Sequence, residues 1–174
     1  LDMVFNHTST EHEWFRKALA GDPKYENYYI WKDGDPDTPP NNWQSKFGGS
    51  AWAYVPERAS GTCTCSDPTQ ADLNWENPDV RHEVQEVIRF WMSKGVKGFR
   101  FDVVNLISKG SYESDDQGDG RRFYTDGPRV HEYLHELNQA TFGTDAEIVT
   151  VGEMSSTSME IATATRARTP VSCP

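Results

Sequence analysis

An α/β fold built on parallel strands is the class this sequence predicts, and three observations predict it. One short apolar stretch, Val96 to Asp102, follows a clear helical pattern; a second, Ile148 to Gly152, follows another; and both run into charged residues at their carboxyl ends. Such alternation of helix and strand implies parallel pairing through right-handed crossovers. Side chains alternate faces along a strand, so Gly98, Arg100 and Asp102 share one face and Phe99 and Phe101 the other, while Val149, Val151 and Glu153 also share a face. Neighbouring parallel strands ending in Asp102 and Glu153 would bring both acids to the carboxyl-terminal rim of one sheet, where α/β folds place their chemistry.

The elements follow in order. Leu1 to Phe5 reads as the end of a buried strand, and residues 10–20 as a short helix with Trp14, Phe15, Ala18 and Leu19 on its apolar face. Residues 21–76 change texture: this stretch holds most of the prolines, four of the six Trp and the pair Gly48-Gly49, with no sustained helical period, and is expected to be an inserted small domain of loops and short strands. Residues 77–160 return to alternation. Asn77 is a predicted N-cap, Pro78 the first turn, and Val80, Val84, Val87, Ile88 and Trp91 one face of a helix stopped by Gly95. The strand at 96–102 leads to a polar loop from Lys109 to Asp126; Pro128 then opens a helix with Val130, Leu134 and Leu137 inward, before the strand at 147–153.

The 174 residues carry a formal charge of −10, which argues against a nucleic-acid partner, because neutralising phosphates needs clustered Lys and Arg. No run of 18 apolar residues is present to span a membrane. The chain opens on Leu1 inside a strand-like run and its final residues close no element, so it is expected to be a fragment. Its oligomeric state is not legible.

Paired carboxylates suit glycoside cleavage, where one acid is ionised and the other protonated. Arg100, beside Asp102 on the same strand face, would hold Asp102 ionised as the nucleophile. Glu153, with no cation close in sequence, is the candidate acid/base. A structural Arg–Asp pair beside an ordinary strand-end Glu is the competing reading.

Four segments then resemble the signatures of the α-amylase superfamily, glycoside hydrolase family 13: Leu1-Asp2-Met3-Val4-Phe5-Asn6-His7, Gln70-Ala71-Asp72-Leu73-Asn74-Trp75, Gly98-Phe99-Arg100-Phe101-Asp102 and Val151-Gly152-Glu153. The resemblance implies a (β/α)8 barrel, of which this chain would hold strand three to strand five and the domain inserted after strand three. It implies Asp102 as nucleophile, Glu153 as acid/base, Arg100 tuning Asp102, Asp2 as a structural acid of the sugar pocket and His7 contacting the sugar. A third carboxylate, an Asp near strand seven, would lie beyond Pro174, so the chain alone is expected to be inactive. Asn41-Asn42-Trp43, Phe47-Gly48-Gly49-Ser50-Ala51-Trp52 and Asp102 to Lys109 are similar to the oligo-1,6-glucosidase branch, in which Val103 after the nucleophile goes with bonds other than α-1,4; Phe47 and Asn105 are expected to line the site. Ala71, Gly118 to Gly127 and Glu153 to Ser158 look most like the phosphotrehalase group, which implies a small phosphorylated disaccharide as substrate and a cytoplasmic setting. Lys109, Arg121 and Arg122 are its candidate phosphate cations, against the alternative of a solvated charged loop. Oligo-1,6-glucosidases and trehalose- or sucrose-rearranging enzymes are the nearest alternatives; a non-catalytic barrel used as an interaction module is the alternative of a different class.

Competing motifs are weaker. His131-Glu132-Tyr133-Leu134-His135 matches the zinc-peptidase pattern, but its helix has an apolar inward face, and neither a metal nor another cofactor is expected. Asp33-Gly34-Asp35-Pro36-Asp37 departs from a calcium loop, and calcium near Asn6 stays open. The three cysteines suit neither a disulfide framework nor a zinc knuckle. Residues 60–66, back-translated and read one base earlier, permit Glu-Trp-Tyr-Leu-His-Leu-Phe, the strand the family shows before this Asp-Pro-x-Gln marker. Residues 161–168, read two bases on, permit a stretch close to the family's next helix. Residues 59–66 and the tail 161–174 are therefore expected to be out of frame, which would make all three cysteines artefacts and weaken packing at 60–66.

Overall fold

The computed structural model describes residues 1–157 and 159. Its strands and helices are β1 (Asp2–Val4), β2 (His7–Ser9), α1 (Glu13–Leu19), β3 (Trp31–Asp33), β4 (Trp52–Val55), β5 (Ser60–Cys63), β6 (Gln70–Asp72), α2 (Pro78–Ser93), β7 (Gly98–Asp102), α3 (Arg121–Tyr124), α4 (Val130–Ala140) and β8 (Val149–Gly152). Strands β1, β7 and β8 form one parallel sheet in that order, so the two acid-bearing strands are direct neighbours. The expected tail at 161–174, with Cys173, lies outside the described residues.

Strand alternation decides what the sheet offers on each side. Met3, Phe99 and Phe101 are buried beneath α2 and α4, against Val80, Val84, Ile88, Val130, Tyr133 and Leu137. The opposite face carries Asp2, Arg100 and Asp102. Helix α2 begins as expected, with the Asn77 side chain accepting from the Asp79 amide and Pro78 in the first turn. Its apolar stripe is narrower than the sequence suggests: Val80, Val84 and Ile88 are buried, but Val87 and Trp91 are exposed. In α4 the residue fully inside is Tyr133 rather than Leu134, which is only partly covered.

The insert does not have a core to itself. Trp43, Trp52, Ile30 and Ala51 are buried together with Leu106 and Tyr124 from the segment after β7. Trp43 Nε1 donates to the Glu113 carbonyl, 2.9 Å away. Gly120 sits against this indole at φ +75°, where a Cβ would lie 2.1 Å from Trp43 Cδ1, so both its backbone and its surroundings demand glycine. Strand β5 runs between β3 and β4 and is wholly buried, yet it presents only small side chains. The hydroxyls of Thr62 and Thr64 are buried without a hydrogen-bond partner. A cleft of about 110 Å³ opens beside Gly61, bordered by Pro40, Trp52 and Tyr54. Among the described residues no helix is long and apolar enough to cross a membrane.

Candidate active site

Backbone register brings the acids together. Arg100 pairs with Val151 and Phe101 with Gly152, so the next step of the ladder sets Asp102 level with Glu153, whose amide donates to the Phe101 carbonyl at 2.8 Å. Adjacent strands lie about 4.8 Å apart, and side chains level in a parallel pair project the same way. Carboxyl groups so placed fall near the roughly 5 Å of a retaining glycosidase; acids on strands twice removed would be about 9.5 Å apart, the inverting range.

Arg100 organises the cluster. Its Nη1 donates to both Asp2 carboxylate oxygens, at 2.7 and 2.8 Å, and lies 3.0 Å from Asp102 Oδ1, while Nη2 bonds Glu153. Both Asp2 carboxylate oxygens are thus bonded to the arginine, which suits a structural acid rather than a direct sugar ligand. The Glu153 pKa is raised, first by its hydrogen bond with Asp102, then by partial burial, against the opposing pull of Arg100. Proximity to a second carboxylate, rather than the absence of a cation, therefore favours the protonated form.

His7 enters from β2, whose antiparallel pairing sets it opposite Asp72. Burial lowers its pKa, against the attraction of Asp72 and Asp102. Its tautomer follows from its neighbours. Lys109 Nζ can only donate, and it donates to Asn6 Oδ1 at 3.2 Å; the Asn6 amide nitrogen must then face His7 Nδ1, 3.3 Å away. With Nδ1 accepting, the neutral ring carries its proton on Nε2, which is free to donate.

Lys109 itself is not a surface cation. Its ammonium is buried and also contacts Asp72 Oδ2 at 2.6 Å and the Leu106 carbonyl at 2.6 Å, so all three of its donors are used. Burial, the largest single influence, would lower its pKa, but Asp72 together with Cys65 and Cys63 outweighs it and the net shift is upward. Its assignment to phosphate is therefore corrected. Arg122 is committed to Asp115 at 2.8 Å, and Arg121 to the Ser45 carbonyl at 2.7 Å and Asp119 at 3.3 Å; both tie the loop to itself or to the insert. Phe47 is 82% exposed beside the Gly48-Gly49 turn. Asn105 is wholly buried, so it does not line an open site. Sequence reasoning misses its actual contacts because they run to the backbone of residue 155, a pairing that no spacing encodes.

The zinc-peptidase pattern does not gather into a metal site. His131 and His135 are exposed on α4, and Glu132 is bound to Arg129 at 2.9 Å. Among the described residues the grouping of metal-ligating side chains is Cys63, Cys65 and Asp72. There, burial pushes the Cys65 thiol well up, and the Lys109 ammonium already occupies Asp72.

Residues 1–169 match the family model for the α-amylase catalytic domain. The chain is 60% identical over 161 residues to a trehalose-6-phosphate hydrolase of Escherichia coli (strain K12), covering 92% of this chain and 29% of that protein. It is 53% identical to the trehalose-6-phosphate hydrolase of Bacillus subtilis (strain 168), again over 92% and 29% of the two chains. The crystal structure of Bacillus licheniformis trehalose-6-phosphate hydrolase (TreA) superposes with a TM-score of 0.85 at 56% identity, covering 90% of this chain and 29% of that one. The chain thus spans about 29% of the length of these relatives.

Proposed function

Because this chain belongs to the α-amylase family, we propose that its protein hydrolyses the α-glucosidic bond of trehalose 6-phosphate with retention of configuration. The observation that carries this reading is the placement of Asp102 and Glu153 on adjacent parallel strands, both in contact with Arg100. Asp102 attacks the anomeric carbon of the unphosphorylated glucose. The bond to the glucose 6-phosphate oxygen breaks as Glu153 delivers its proton there, leaving a glucosyl ester on Asp102. Water then gives a proton to Glu153 and attacks the same carbon, and the Asp102 carboxylate departs. Two inversions yield α-glucose. His7, donating from Nε2, suits a sugar hydroxyl.

The phosphate in this reading rests on similarity to the trehalose-6-phosphate hydrolases, since Lys109, Arg121 and Arg122 have partners of their own. A cytoplasmic setting goes with this reading, because a phosphorylated disaccharide does not cross a membrane unaided. Initial rates on trehalose 6-phosphate, trehalose and isomaltose, with proton NMR of the first-formed glucose, test the proposal. The expected result is fastest turnover of the phosphate ester with the α-anomer appearing first. Preference for isomaltose would move the protein to the oligo-1,6-glucosidases, and a β-anomer product would refute the double displacement.

A further inference from the structure

The catalytic reading leaves Glu153 needing support. It sits at the end of β8, an edge strand of the described sheet exposed on both faces, and its own side chain is 47% exposed. Its carboxyl is held by Arg100 and Asp102, and its backbone by two bonds: its amide to the Phe101 carbonyl, and its carbonyl from the Val104 amide at 3.0 Å. Beyond this point β7 has turned away, for Val103 takes the left-handed conformation at φ +37° and no ladder can continue.

Asn105 continues it with a side chain. Its Oδ1 accepts from the Ser155 amide at 2.9 Å, and its Nδ2 donates to the Ser155 carbonyl at 2.9 Å, so one primary amide takes both backbone groups of the second residue past the acid. The other Nδ2 hydrogen goes to Asp126 Oδ1 at 2.9 Å, and the Asp126 amide returns a bond to the Asn105 carbonyl at 3.0 Å. The orientation of the amide is thereby fixed, since a carboxylate only accepts and a backbone N–H only donates. Both amide hydrogens of this buried side chain are used and its oxygen already accepts from Ser155, so neither donor is left for a sugar.

We propose that Asn105 is a positioning residue, fixing the segment Glu153–Ser155 so that the Glu153 carboxyl meets the departing oxygen. The inference rests on Glu153 being the acid/base. A displacement near 1 Å costs on the order of 100-fold in rate, while a substrate whose leaving group needs no proton should escape the loss.

The test uses the full-length enzyme with two substrates: trehalose 6-phosphate, which needs proton donation, and α-glucosyl fluoride, which does not. Asn105→Leu is expected to lower kcat/KM on the phosphate ester by about 100-fold and on the fluoride by less than about 5-fold, with azide restoring turnover of the fluoride by attacking the glucosyl ester without a base. Asn105→Asp, which still accepts from Ser155 N–H but cannot donate, should show the same pattern more weakly, and it decides the question if the leucine variant does not fold. Equal losses on both substrates, or none, would overturn the inference. Glu153→Gln is the control: if it fails to show the leaving-group dependence, the acid/base reading itself is wrong, whereas if it shows it and the Asn105 variants do not, only the positioning role falls.

Discussion

Replacing Lys109 by Met is the sharpest perturbation of the site's foundation. The methionine keeps the stem and removes an ammonium that is buried against Asp72 at 2.6 Å. At an effective dielectric near 20 the attraction at that distance is about 6 kcal/mol before desolvation is subtracted. Breaking a buried pair from one side costs about 3–5 kcal/mol, because the Asp72 charge would be left buried with only the weak Cys63 thiol donor, 3.8 Å away. Asp72 is already short of contacts, since its Oδ1 is buried without a hydrogen bond. Urea unfolding followed by tryptophan fluorescence should show a loss of that size for Lys109→Met, and adding Asp72→Asn should recover at least about 1 kcal/mol of it. The substitution also releases the Asn6 amide, and with it the tautomer of His7, so KM should rise as well. A loss under about 1 kcal/mol, the value of an exposed ion pair, with no coupling to Asp72, would refute the buried-cation argument.

Three further outcomes follow from the geometry. Asp102 is the first cause of the raised Glu153 pKa, so the alkaline limb of kcat/KM should lie above the ordinary carboxyl value of about 4.3; Asp102→Asn should lower the Glu153 pKa, read by carboxyl-carbon NMR, and an unmoved value would contradict the pairing. Val103 holds a β-branched side chain at φ +37°, a strain of about 1–2 kcal/mol, so Val103→Gly should leave Tm unchanged or higher despite glycine's entropy cost, whereas destabilisation beyond about 1 kcal/mol would show the conformation is not strained. Resequencing the gene across codons 59–66 should reveal one missing base and one extra base, replacing the small residues of β5 with bulky ones that fill the cleft beside Gly61; clean reads of the present codons would refute this.

Much of this is legible in the sequence because it depends on local periodicity. Alternation along 98–102 separates Phe99 and Phe101 from Arg100 and Asp102, and the Asn77-Pro78 start of α2 is a matter of capping chemistry. Periodicity overstates the core stripes: Val87 and Trp91 lie at the margin of α2, and the helical period says which residues share a face but not how much of that face a neighbour covers. The phosphate cations mislead for a related reason. Lys109 stands at the start of a polar loop in sequence, but the fold turns it back beneath Asn6 and Asp72, residues 103 and 37 positions away along the chain. Asn105 shows the same limit, since its partners at 126 and 155 come together only once β8 lies beside β7.

In the proposed mechanism Asp102 forms a covalent bond to the sugar while Glu153 manages the proton. A fluorinated glucosyl fluoride that esterifies the nucleophile but hydrolyses slowly tests it directly, through mass spectrometry of the digested full-length enzyme. The label is expected on Asp102 and nowhere else. Attachment to Glu153, or inactivation without any covalent adduct, would contradict the account.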